Sequence, residues 1–449
     1  KRLVFTQFHD AVPGSSCGEV YAEAIPELER IAASALEDAQ ARLSGNGPAS
    51  LFNPLPVPRS IAAEGEMHQL RPLEGRPMAE SRIDEPGHAT ADERGLHSDR
   101  VRAELDARGL IRALEIDGRH VRLSAPAGDV LAFADRPHAF EAWDIDRASL
   151  EHALQTDESV AVSIEASGGI EAAVVVKSGI ARAGRLTKRY RLIAGEPALR
   201  IEYEIDLDEP DVLLKAVFPT SYAGQSARFG APFGSAMRGQ RPGARRDEAA
   251  FEVPGSRWAS VTDDAQREGF AVMTDSSYGF GCQSGTLHVS LLRTALVTST
   301  GLDPALRRED AGPAHFDLGR SSVQLAVGLA GGDVPASQQP ASLAETLFTT
   351  AIRYEGPPVS SPLLDIEQEP GVVAAWAKPA ESAERAWVLR LHETLGSRAA
   401  TRLTLAEGWL ARPVDLRERP VGDALPPDGN AVTITLRPCS FASVLLEPR

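Results

Sequence analysis

Residues 199–205 read Leu-Arg-Ile-Glu-Tyr-Glu-Ile, apolar and charged side chains strictly in turn. A period of two places one kind of side chain on each face of a strand, so this stretch predicts a β-strand with one face buried and one wet. The same alternation recurs at Leu114-Glu115-Ile116, at 161–165 (Ala-Val-Ser-Ile-Glu) and at 287–291 (Leu-His-Val-Ser-Leu). More than a dozen such short runs, bounded by Gly, Pro, Asp and Asn, lie between about 105 and 330. That pattern predicts antiparallel sheets, and it is too many strands for one small sandwich. A large double-sheet sandwich fits best.

Outward from this core the pattern changes on both sides. Residues 331–342, Gly-Gly-Asp-Val-Pro-Ala-Ser-Gln-Gln-Pro-Ala-Ser, have the composition of a linker. About five further strand-like runs follow, at 372–376, 386–391, 401–405, 431–436 and 440–446, and predict a second, smaller sandwich. Upstream, residues 71–102 are rich in charge, Pro, Gly and His, and read as a long loop or irregular insertion. Ahead of the β region, Ser16-Cys17-Gly18-Glu19 has the form of a capping box. Apolar residues then recur every three or four positions from Val20 to Leu43, and Gly45 stands as a stop. This predicts a helix from about 16 to 44, on the order of 40 Å long, with Pro26 as a site for a kink.

The expected fold is therefore mainly β. One long N-terminal helix, part of a helical bundle, precedes a large antiparallel β-super-sandwich and a small C-terminal β-sandwich. The expected divisions are 1–48, 49–342 and 343–449. The helix cannot bury its own apolar stripe and needs helical partners, from another subunit or, more simply, from a preceding part of the protein. The chain opens at Lys1 within an apolar run and has its first methionine at Met67, which reads as a piece of a longer polypeptide.

The net charge is −16 and the pI is near 5.2. A nucleic-acid binder would be expected to carry a basic footprint, and a protein docked on anionic lipid would too. No apolar run approaches the roughly 18 residues of a membrane-spanning helix. A neutral ligand such as a sugar is not disfavoured. The three cysteines, Cys17, Cys282 and Cys439, are sparse and far apart, and read as reduced thiols in a cytoplasmic protein with no cysteine-based zinc site.

Local chemistry is sparse. A glycosidase needs two carboxylates flanking the scissile bond, and 63 acidic residues give no basis for choosing a pair by spacing. The ten histidines contain no HExxH or HxH pattern. Tyr278-Gly279-Phe280-Gly281 holds a GxG but no surrounding βαβ unit, and reads as a strand turn. Arg241, Arg245 and Arg246 sit in a Pro/Gly loop beside Asp247 and Glu248, and read as an exposed loop. One segment stands apart: residues 6–16, Thr-Gln-Phe-His-Asp-Ala-Val-Pro-Gly-Ser-Ser, place His9 and Asp10 side by side between an apolar run and a helix start. His9 is a candidate metal ligand or a buried, hydrogen-bonded histidine. One imidazole does not hold zinc, which takes three or four ligands, so any others come from outside this motif.

The run 7–16, Gln-Phe-His-Asp-Ala-Val-Pro-Gly-Ser-Ser, closely resembles the "QFHDxxPGSS" segment of glycoside hydrolase family 38, the α-mannosidases. Further matches follow in the family's order. They are Phe52-Asn53-Pro54-Leu55 with Arg59, Ala142-Trp143-Asp144-Ile145-Asp146 resembling the family's "AWDI" element, Leu214-Lys215-Ala216-Val217-Phe218-Pro219 resembling its "LKVxFP" strand, Tyr278-Gly279 followed by Ser290-Leu291-Leu292-Arg293 resembling its "YG…LSLLR" pair, and the strands at 416–420 and 438–443. The resemblance implies a retaining α-mannosidase with an N-terminal catalytic domain, a helical bundle and β-sandwiches. It implies that His9 is a zinc ligand and that Asp10 contacts a hydroxyl of bound mannose. It also implies that the nucleophile, the acid/base and the remaining ligands of a single zinc ion lie upstream, so no catalytic residue is expected in this chain. The implied partners are an α-mannoside and that catalytic domain, with no nucleic acid and no membrane; homo-oligomerisation stays open. The stretch 309–316, Glu-Asp-Ala-Gly-Pro-Ala-His-Phe, is one residue longer than the family's "DxGxHxF". The competing functions are a non-catalytic carbohydrate-binding or scaffold module and a purely structural sandwich.

Overall fold

The computed structural model describes residues 2–9, 11–12, 14–16, 18–156, 159–241, 243, 245–297, 315–381, 383 and 385–449. Strand Leu199–Leu207 behaves as its alternation requires: every second residue from Leu199 to Leu207 is buried, and the charged ones between are not. It sits inside a nine-stranded antiparallel sheet, paired with Gly184–Ile193 on one side and Gly319–Ala330 on the other. Two five-stranded sheets form the opposing layer. One runs from Ala89 to His120; the other is built from Asp129–Ala134, Val212–Pro219, Thr286–Arg293, Gly279–Gln283 and Val253–Pro254. Side chains of all three sheets share one apolar core, from Leu96 and Ile116 through Leu214 and Val289 to Tyr203 and Leu325. Each such buried Leu, Ile or Val stabilises the sandwich by roughly 1.5–3 kcal/mol relative to exposure.

The stretch 71–102 departs from expectation. It holds strands Gly75–Pro77, Ala89–Asp92 and Gly95–Ser98 and the start of Val101–Leu105. Its charges belong to turns: the Asp92 carboxylate accepts the backbone N–H of Arg94 and Gly95 at 2.7 and 3.2 Å. Gly95, at φ +146°, lies so close to the Ala103 carbonyl that a Cβ would stand 2.0 Å from its oxygen. Ala89, Leu96 and Val101 supply the buried face from too few apolar residues for a visible period.

The linker-like stretch also changes on folding. Its end opens the helix Pro340–Phe348, whose Ala341, Leu343, Ala344 and Leu347 are buried against Trp258, Met273, Ala326 and Val373. That helix is an apolar plug between the two sandwiches. The small sandwich has seven strands rather than about five, because Leu363–Gln368 and Trp409–Pro413 join it as members of its three- and four-stranded sheets.

The helix Gly18–Leu43 forms with Pro26 inside it. None of its described residues is buried, and Val20, Ile25 and Leu36 of its apolar stripe stand open. Its C-terminal end is fastened: Gln40 Nε2 donates to the Arg353 carbonyl at 3.1 Å and Gly45 N–H to the Glu355 carbonyl at 2.9 Å. Strand Ile352–Glu355 pairs in turn with Ala49–Phe52, so the first strand after the helix and the entry to the small sandwich share one sheet.

Candidate functional site

The described residues between 2 and 16 form a short helix, Arg2–Phe5, and a series of turns. His9 lies in these turns with its side chain toward solvent and its ring 4.2 Å from that of Phe8. Asp10 and Cys17 lie outside the described residues. Among the described residues no group of three His, Cys, Asp or Glu side chains is placed to hold a metal. His9 thus fits zinc by donor type, as one accessible imidazole, and completes no site with its described neighbours.

Tyr21 closes the loop that carries His9. It is on the first turn of the long helix, and its hydroxyl donates to the Ala11 carbonyl at 3.1 Å and accepts the Ser16 N–H at 3.2 Å. Gly14, at φ +78°, lets the chain reverse between those two anchors. The Tyr21 ring meets Phe316 edge-on. Phe316 in turn is held on the sandwich, its N–H donating to the Ala295 carbonyl at 3.3 Å.

Next to Phe316, His315 Nε2 is 2.9 Å from Asp211 Oδ1, and Arg136 Nε donates to Asp211 Oδ2 at 2.8 Å. Residues 309–314 of that motif are outside the described residues. One residue before Arg136, the buried Asp135 carboxylate accepts Arg293 Nε at 2.6 Å. The rest of the Arg293 guanidinium gathers the carbonyls of Glu141, Ala142 and Asp144. This clamp shapes the 140–146 loop, where Phe140 and Glu141 have positive φ and Phe140 and Trp143 are exposed. Three segments with family-like sequence therefore meet at one end of the large sandwich: the His9 loop, the His315-Phe316 pair and the 142–146 element.

The other sequence candidates have structural settings. Tyr278-Gly279 leads into strand Gly279–Gln283, as a strand turn should. Arg241 pairs with Asp264 at 2.8 Å, and Arg245 and Arg246 begin a one-turn helix, Arg245–Glu248. Cys282 is a buried free thiol, pushed up to about 12 by burial, and Cys439 is an exposed one. His288 lies beside Lys215, and burial, with that ammonium, pulls it down to about 3. Lys215, fully buried, is ion-paired with Glu252, whose Oε1 accepts the Ser290 hydroxyl at 2.6 Å.

Sequence reading singled out His9 and Asp10 and gave no role to Tyr21, Asp211, Arg136 or Arg293. The partners of those contacts lie ten residues apart for Tyr21–Ala11 and 104 apart for His315–Asp211. No local period or spacing registers a contact of the second kind.

The family model for the glycosyl hydrolases family 38 C-terminal domain matches residues 96–299. Human alpha-mannosidase 2C1 is 27% identical over 99% of this chain, and the mouse alpha-mannosidase 2C1 is 25% identical over 77% of it. The chain spans less than half the length of these relatives, 44% and 33%. Among solved structures, an alpha-mannosidase from Enterococcus faecalis V583 superposes with a TM-score of 0.72 at 12% identity, covering 99% of this chain and 62% of that one; the likeness is one of fold. Residues 96–299 thus match the glycosyl hydrolases family 38 C-terminal domain, and along nearly its whole length the chain is similar to the C-terminal part of alpha-mannosidases.

Proposed function

We propose that the chain is the C-terminal part of a zinc-dependent retaining α-mannosidase that removes terminal α-linked mannose from oligosaccharides. The carboxylate nucleophile and acid/base come, in this reading, from a preceding catalytic domain, and His9 adds one imidazole to the zinc held there. The carrying observation is the Tyr21-closed loop, which holds His9 outward at the end of the sandwich instead of in a core. An imidazole serving only the core would be buried, and this one is exposed. When bound, the ion supplies positive charge to sugar hydroxyls as an oxocarbenium-like transition state develops. The chain's own residues do the positioning: Tyr21 fixes the loop, His9 presents a ring nitrogen, and Asp10 accepts a mannose hydroxyl.

The test is made on the full-length protein with a chromogenic α-mannoside. His9→Ala should lower bound zinc and turnover together. A variant with full zinc and full turnover removes His9 from the site. Loss of turnover with full zinc makes it a substrate or structural residue instead.

A further inference from the structure

A cavity of about 310 Å³ lies between the two sandwiches, away from the His9 end, at the lower end of the size range of small-molecule sites. Its wall on the large sandwich is made by the pleat. Strands Ser226–Ala231 and Trp258–Thr262 pair with Arg228 opposite Ser260. Ser226 and Arg228 therefore share a face with Trp258, Ser260 and Thr262, while Ala227, Phe229, Ala259 and Val261 turn into the core. Loops of the small sandwich close the other side.

The chemistry of this wall is unusual for a chain of net charge −16. No acidic side chain lines the cavity. Among the described residues, no carboxylate forms an ion pair with Arg228. Its Nη1 donates to Ser235 Oγ at 2.9 Å and to the carbonyls of Thr394 and Leu395 at 3.3 and 3.4 Å. Its Nε and Nη2 have no protein acceptor among the described residues. Burial lowers its pKa, and Glu393 opposes that only from a distance. The Glu393 carboxylate is already spent on the N–H groups of Leu395, Gly396 and Cys439 at 2.7, 2.9 and 2.8 Å. The side chains of Ser226, Ser260, Thr262 and Gln266 also lack protein partners among the described residues. A half-buried guanidinium without a counter-charge is costly, and a set of open hydroxyls and an amide beside it is matched by a ligand carrying an oxyanion and hydroxyls.

We propose that this cavity binds an anionic monosaccharide, a sugar phosphate or a sugar acid. Its oxyanion takes Nε and Nη2 of Arg228, and its ring hydroxyls meet Ser226, Ser260, Thr262 and Gln266 above the Trp258 ring. The inference is independent of the His9 reading and requires no catalysis.

Titration calorimetry of the protein with glucose 6-phosphate, glucuronate, glucose and inorganic phosphate tests it. Saturable binding of at least one anionic sugar, ten-fold or more tighter than glucose and phosphate, is expected, and which one binds identifies the anion. Arg228→Met should weaken it at least ten-fold. Because Arg228 also bonds the small sandwich, Ser260→Leu is the second variant: it leaves those bonds intact, fills the cavity and should abolish binding. Glucose or phosphate binding as tightly as the anionic sugars, undiminished binding by Ser260→Leu, or no binding of any probe overturns the proposal.

Discussion

The ring of Tyr21 meets the ring of Phe316 edge-on, with centroids 4.9 Å apart and planes at 76°. Among the described residues, this contact joins the helix start that closes the His9 loop to the large sandwich. An aromatic pair of this geometry contributes about 0.5–1.5 kcal/mol beyond the area it buries. Phe316→Ala should therefore release the loop without unfolding the sandwich. Amide exchange at Ala11 and Ser16 is expected to accelerate while the melting temperature barely moves. Unchanged exchange at both would mean that the loop is held by other contacts. Tyr21→Phe keeps the ring and removes both hydrogen bonds, so it should accelerate exchange at Ser16 in particular.

The Arg293 clamp makes a second prediction. Arg293→Ala leaves the buried Asp135 carboxylate without its cation, a loss of the kind that costs about 3–5 kcal/mol. Urea unfolding should report that loss. The carbonyls of Glu141, Ala142 and Asp144 lose their shared donor as well, so the fluorescence of exposed Trp143 should shift. A variant as stable as the parent would mean that Asp135 finds another partner.

Lys215 and Glu252 invite a double replacement. Lys215→Met alone strands a mostly buried carboxylate and should destabilise by about 3–5 kcal/mol. Lys215→Met with Glu252→Leu removes both charges and should recover most of that loss in thermal unfolding. If the double variant is no better than the single one, the pair is not what holds the segment of Glu252 over the sheet.

Two depressed histidines set an acid limit. Burial, with Lys215 nearby, lowers His288 to about 3, and burial lowers His392 to about 4 despite Glu393. Each binds its proton more readily in the unfolded chain, whose histidines titrate near 6.5. Unfolded molecules therefore take up more protons between about 6.5 and 3, and stability falls as pH falls through that window. Denaturant midpoints measured from pH 7 to pH 4 should decline, and His288→Gln should flatten the decline. A flat profile in the parent would mean that neither ring is held neutral by the fold.

The β architecture was legible because burial on one face leaves an alternating trace, as at Leu199–Leu207. The long helix was legible for the parallel reason at a period of three to four. The 71–102 strands were hidden because their polar residues serve turns and their apolar ones are few. The plug helix Pro340–Phe348 was hidden behind a Pro- and Gln-rich approach that resembles a spacer. For the site, resemblance points to His9 and Asp10 because they stand in a contiguous motif. The joining of three distant segments by Phe316, Asp211 and Arg293 depends on tertiary folding, which no window of sequence encodes.

The fastening of the long helix has a mechanical side. Gln40 and Gly45 hand the helix end to Arg353 and Glu355, on a strand that leads into the small sandwich. A tug along the helix axis is thus borne first by the three-stranded sheet of 49–52, 75–77 and 352–355. The large sandwich holds the other end of the same lever through Phe316. The helix thus bridges the His9 loop and the strand that enters the small sandwich, so the N-terminal loop and the C-terminal domain share one support.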